Sequence, residues 1–165
     1  MRKSQCFFVV MVLGLVFSMP VGAISEGKKT AIIEGCDSIK ESLELVQHQD
    51  SRARVYLGRY YETVLSKYIT PLNVRLVENN LFNSELMDNQ DNFSRMRSGF
   101  IVDFIEYQRE LEKLVSTDCK TEPEKFYERL VKTRERRQEV AIDTAGLKEL
   151  MTTQLKLVEK LKEGL

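Results

Sequence analysis

The chain has 165 residues, with 25 lysines and arginines against 25 aspartates and glutamates, one histidine, three cysteines and no tryptophan. That balance gives no reason to expect nucleic acid or an anionic membrane as a partner. Three prolines and eight glycines, with charged residues at 30%, fit one helical domain rather than a turn-rich β fold or a disordered tail.

Arg2 and Lys3 precede an apolar run from Phe7 to Phe17, and Val21-Gly22-Ala23 places small residues where a signal peptidase cuts. This layout predicts a signal peptide over 1–23, cleaved after Ala23. The alternative is an uncleaved anchor, because Phe7 to Ile24 is just long enough to cross a bilayer; Pro20 and Gly22 favour cleavage. Removal leaves 23 basic against 25 acidic residues, formally −2, and no further membrane span. Residues 24–30 read as a flexible lead-in.

From Cys36 onward Ile39, Leu43, Val46, Asp50, Ala53, Leu57, Tyr60 and Val64 alternate steps of four and three. That heptad spacing predicts one long helix over about 31–79, bent near Thr70 by Pro71, with the stripe continuing through Tyr68, Leu72 and Leu76. Tyr60 and Tyr68 are expected in the core, Tyr56 and Tyr61 at the helix edges. Asn83 or Ser84 is placed to cap a second helix over about 84–117, with Phe82 and Met87 as a hydrophobic staple. Its seam carries Leu86, Gln90, Phe93, Arg97, Phe100, Phe104, Tyr107, Leu111 and Leu114. Thr121-Glu122-Pro123-Glu124 opens a third helix over about 122–163, with Phe126, Leu130, Thr133, Arg137, Val140, Thr144, Leu147, Met151 and Gln154 on its seam. Short connections make successive helices antiparallel. The expected fold is therefore all-α, an elongated up-down-up three-helix bundle over 31–165 with coiled-coil-like packing.

Chemistry-bearing motifs are scarce. His48 is the single histidine and reads as a surface residue, since a zinc site needs three or four convergent ligands and a di-iron bundle needs two histidines. No metal or cofactor is expected, and no catalytic residue. Paired carboxylates such as Asp88 with Asp91, or Glu106 with Glu110, read as solvated faces. The run Arg134-Glu135-Arg136-Arg137 is interleaved with acidic residues, unlike a nucleic-acid patch. Asn92-Phe93-Ser94 is a sequon that chance alone supplies.

Three constellations stand out. Cys36 and Cys119 fall at matching heights in an antiparallel helix pair, so an exported chain is expected to join them by a disulfide. Asp50 and Arg137 are seam residues at one level of parallel helices, and are expected to pair as a buried polar couple that fixes register; the alternative is that each reaches solvent separately. Gly58, Gly99 and Gly146 meet near mid-height. They are expected to leave a notch where Arg97 meets Asp143 or an anionic group; the plainer alternative is close helix approach with Arg97 in water.

Asp50-Ser51-Arg52-Ala53-Arg54-Val55 with Gly58, Leu72-Asn73-Val74-Arg75-Leu76, and Asp118-Cys119 followed by Pro123 and Phe126-Tyr127 carry a resemblance. Over roughly Cys36 to Val140 the chain resembles secreted helical-bundle proteins of ultrasmall candidate-phylum bacteria, a group with no assigned activity. The resemblance implies export and a cell-surface or extracellular setting. The expected function is a non-enzymatic interaction or spacer module at the cell envelope or outside the cell. Its expected partner is another protein or an envelope component, and its oligomeric state is left open. The alternative is a small-ligand-binding bundle using the polar notch.

Overall fold

A computed structural model describes residues 24–164; the expected signal segment lies outside them. The described residues are all-α, with no strand among them. The helices are α1 (Glu26–Glu34), α2 (Cys36–Thr63), α3 (Thr70–Glu78), α4 (Ser84–Val115) and α5 (Pro123–Glu163), with a π-helical turn over Val64–Ile69 between α2 and α3. Among these, no helix is long and apolar enough to cross a membrane.

Two boundaries differ from expectation. Residues 24–30 are no loose lead-in: most of them build α1. Ile24 and Ile32 are buried against the core, and Lys29 Nζ bridges Glu26 at 2.8 Å and Glu124 at 2.6 Å. Lys28 adds a hydrogen bond of 3.2 Å to the Tyr127 hydroxyl. Polar side chains hid this segment, because its anchor is tertiary contact rather than its own amphipathicity.

The expected single helix over 31–79 is also divided. Gly35 separates α1 from α2, and the π turn precedes Pro71. Closing the turn at Ile69 lets a new α-helix start at Thr70, so Pro71 occupies its first turn, where a missing N–H costs nothing. The wider turn also rotates the face that follows. Ile69, Asn73 and Leu76 therefore point inward, whereas Tyr68 is 68% exposed. At the end of α3, Asn80 takes φ 59°, a left-handed value asparagine tolerates. There Leu81 N–H donates to the Leu76 carbonyl and Asn80 N–H to that of Val77, the paired bonds of a Schellman stop.

Asn83 caps α4 as expected, accepting from Leu86 N–H at 3.0 Å, but Phe82 is largely exposed and makes no staple. α4 runs antiparallel to α2 and α3, as the Tyr107–Asp50 and Asn73–Gln90 hydrogen bonds require. α5 runs antiparallel to α4, as Asn89–Gln154 and Glu110–Lys132 require. The buried residues of α5 are Phe126, Thr133, Val140, Leu147 and Gln154, a strict seven-residue row. That row is the signature of a helix packed along a coiled-coil seam. Before it, Asp118 Oδ1 accepts the N–H groups of Lys120 and Thr121 at 2.8 and 3.2 Å, shaping the turn into α5 and holding its carboxyl below the usual range. The expected capping box is not used: Glu122 is the cap residue and makes no side-chain cap bond.

Candidate functional site

Cys36, at the start of α2, and Cys119, ahead of α5, form the expected disulfide, with Cα atoms 5.6 Å apart. Both are buried. The bond ties the beginning of α2 to the turn between α4 and α5.

Fourteen residues along α2, Asp50 faces α4 and α5 together. Arg137 Nε lies 3.2 Å from Asp50 Oδ2 and an Arg137 terminal nitrogen 3.3 Å from Oδ1, so the expected pair forms. It is not a buried couple, however: the Asp50 side chain is 17% exposed and that of Arg137 58%. Arginine keeps its head in water and lays its stem along the helix. The buried partner is Tyr107, whose hydroxyl donates to Asp50 Oδ2 at 2.6 Å. Burial first, and the adjacent Asp50 carboxylate second, push the Tyr107 phenol well above its ordinary range. One residue on, Gln108 Nε2 donates to Ser51 Oγ at 2.9 Å. The sequence already held the signal for Tyr107, because it lies 12 residues before Cys119 as Asp50 lies 14 after Cys36.

Beside this layer an open groove of about 450 Å³ runs between α2 and α5. Phe104, Tyr107 and Val140 line it with Asp50, Arg134 and Arg137. Its apolar floor and charged rim suit an amphipathic molecule with an anionic end.

The mid-height notch is not formed. A Cβ on Gly58 or Gly99 would meet nothing within 4 Å, so both face open space. A Cβ on Gly146 would lie 2.5 Å from Met96 Sδ, so the room it leaves holds that thioether. Arg97 turns to Glu62 on α2 instead of Asp143. Asp143 has Asp103 as neighbour; burial first, then a hydrogen bond with that carboxyl, raise its pKa to about 6. Two carboxyl groups this close share a proton more readily than both ionise.

Glu110 is another departure. It is largely covered rather than solvated, with Lys113 Nζ at 2.9 Å and Lys132 Nζ at 3.2 Å. The hydrogen bond to Lys113, and then Lys132, hold its carboxyl below the usual range against the effect of burial.

The tyrosines of α2 are partly exchanged. Tyr61 is buried, its ring 5.3 Å from Phe100 and 6.3 Å from Phe93. Tyr60 is 43% exposed and stacks on Tyr56 with centroids 6.5 Å apart. From Leu57 a step of three reaches Tyr60 and a step of four reaches Tyr61; both fit a helix stripe, and the buried residue is the one four on. As a result α2 buries only Cys36 and Tyr61, while Leu45, Val55 and Tyr56 stand more than half exposed.

Among the described residues no group of three or more His, Cys, Asp or Glu side chains is placed to hold a metal ion. The described residues thus define an all-α, disulfide-stapled protein with a bare face on α2 and an apolar, charge-rimmed groove between α2 and α5. No protein family, curated protein or solved structure matches the chain.

Proposed function

We propose that this chain is an exported, non-enzymatic interaction or spacer module that acts at the cell envelope or outside the cell. The observation that carries this reading is the outer face of α2, a long helix baring Leu45, Val55 and Tyr56 to solvent. Apolar side chains grouped on an otherwise charged face are the usual mark of a surface that meets another macromolecule. The three helical runs 36–78, 84–115 and 123–163 act as an elongated up-down-up three-helix bundle with coiled-coil-like packing. α5 alone, at 41 residues, gives a rod of about 60 Å. The Cys36–Cys119 bond is compatible with an oxidising compartment outside the cytoplasm.

The test is cross-linking of the full chain in intact producing cells, with cell fractionation. The expected result is a cross-linked adduct in the envelope or medium fraction that Tyr56→Glu removes. Recovery in the cytoplasm with Cys36 and Cys119 as free thiols, and no adduct dependent on Tyr56, overturns the reading.

The groove supports a second reading, a carrier for a small amphipathic anion held by Arg134 and Arg137 over Phe104 and Val140. Thermal-shift titration with a medium-chain fatty acid tests it: stabilisation that Arg134→Gln abolishes supports the carrier, and no shift ends it.

A further inference from the structure

The outer face of α2 is exposed along most of its length. Glu41, His48 and Val55 form one row and Leu45, Arg52 and Arg59 a second, and all six are exposed. They lie opposite Ile39, Val46, Ala53 and Leu57, on a face of α2 that the described residues leave bare. Charge divides that face at its middle. Before His48 come Asp37, Glu41 and Glu44, with half-buried Lys40 beside them; after it come Arg52 and Arg59, with half-buried Arg54 beside them, and no carboxylate lies between Asp50 and Glu62. The ion pairs of α2 engage Asp37, Asp50 and Glu62. Among the described residues Glu41, Glu44, Arg52 and Arg59 therefore have no ionic partner.

We propose that this face docks a second copy of the chain, α2 against α2 antiparallel about a two-fold axis at the level of His48. The proposal rests on the interaction-module reading and names its partner. An axis at that level sets each residue at the height of the one equally far beyond His48. Glu44 then faces Arg52 of the second copy, and Glu41 reaches the space between Arg52 and Arg59. The symmetry repeats each contact, so four acidic residues meet four arginines. A parallel arrangement in register would set like charges against each other. Helix axes about 8–10 Å apart are within the joint reach of glutamate and arginine side chains.

The apolar residues fit the same axis. Leu45 of one copy comes level with Ser51 of the other. At that place each copy has a shallow depression of about 470 Å³ lined by His48, Ser51, Arg52, Val55, Tyr56 and Arg59. Leu45, 59% exposed on its own, is the side chain of matching height to fill it. The contact is isologous and closed, so it stops at a dimer.

Sedimentation equilibrium of the full, disulfide-bonded chain tests the pairing. The wild type is expected to dimerise, and dimerisation to weaken at least about tenfold in either Glu41→Arg/Glu44→Arg or Arg52→Glu/Arg59→Glu, because each makes its face one sign. Mixing the two variants restores a dimer made of one copy of each, detectable by native mass spectrometry with one copy isotope-labelled. That recovery also shows that both variants are folded. A monomeric wild type, a reversed variant that dimerises as well as the wild type, or a mixture that stays monomeric each overturns the pairing. A monomeric wild type that still gives the Tyr56-dependent adduct overturns self-pairing alone. A monomer without that adduct overturns the module reading as well.

Discussion

α2 and α4 are of similar length, 28 and 32 residues, yet α4 buries nine side chains and α2 two. Both have seams readable as heptads. The difference is position: α4 lies between α2 and α5 and is covered on two sides, whereas α2 leans mainly on α4 and meets α5 at few points, Asp50–Arg137 among them. A helix with so little buried area needs other restraints. α2 has the disulfide at its start, the Asp50–Tyr107 bond at its middle and the Tyr61 ring near its end. α4 and α5 are held by fully buried side chains, α2 by the half-buried Ile39, Leu43, Val46 and Leu57 and a few fixed points.

Removing the staple breaks this comparison most severely. Cys36→Ala/Cys119→Ala frees a loop spanning 83 residues, which in the chain-entropy model costs about 4–5 kcal/mol. Chemical denaturation of the variant checks the size of the loss. Hydrogen exchange checks its place: protection should fall in α1 and α2 far more than in α4 and α5. Equal loss throughout would show that the helices unfold as one unit. Next comes Leu147→Ala on α5, a fully buried site expected to cost about 3 kcal/mol, against about half of that for Leu57→Ala on the half-covered α2. Matched denaturation midpoints with unchanged slopes measure both.

What the sequence made legible follows the same divide. The seams of α4 and α5 could be read because Phe93, Phe100, Phe104, Tyr107 and Leu111, and the row from Phe126 to Gln154, repeat on a face whose partner is fixed. On α2 the choice between Tyr60 and Tyr61 could not be read, since one residue of drift moves a side chain by about 100° and the coverage is too thin to punish the error. The π turn before Pro71 has no pattern of its own. The proline signalled a disturbance but not the rotation that turned Ile69 inward and Tyr68 outward. The disulfide and the Asp50–Arg137 contact could be placed by counting residues along straight helices. The notch could not, because height alone does not say which way Gly58, Gly99 and Arg97 face.

Between α4 and α5, the Asp103–Asp143 contact sharpens the comparison through pH. The folded protein raises the pKa of Asp143 from 3.8 to about 6, so the native state binds this proton more tightly than the unfolded chain. Stability from this group is present at low pH and is lost as pH rises between about 4 and 6. Asp143→Asn should flatten the fall over that window. At pH 7.5 it should raise stability by about 1 kcal/mol, a figure reduced for partial exposure. Denaturation midpoints at pH 4.5 and 7.5 test this; a variant with the wild-type pH slope would remove the shared proton from the account.

The smallest effect is the most direct probe of which faces are bare. Gly58 on α2 has open space where a Cβ would go, whereas Gly146 on α5 has Met96 Sδ at 2.5 Å from that point. Glycine inside a helix costs about 1 kcal/mol relative to alanine, through backbone entropy in the unfolded chain. Gly58→Ala should therefore stabilise by about 0.5–1 kcal/mol. Gly146→Ala gains the same entropy but must displace the Met96 thioether. That side chain is flexible enough to move, yet moving it gives up packing between the two most closely joined helices. The gain should shrink or reverse, by about 1 kcal/mol relative to the α2 substitution. Thermal melts of the two variants side by side decide the matter. If Gly146→Ala stabilises as much as Gly58→Ala, Met96 is not held in place, and the interface of α4 with α5 is looser there than its buried seam implies.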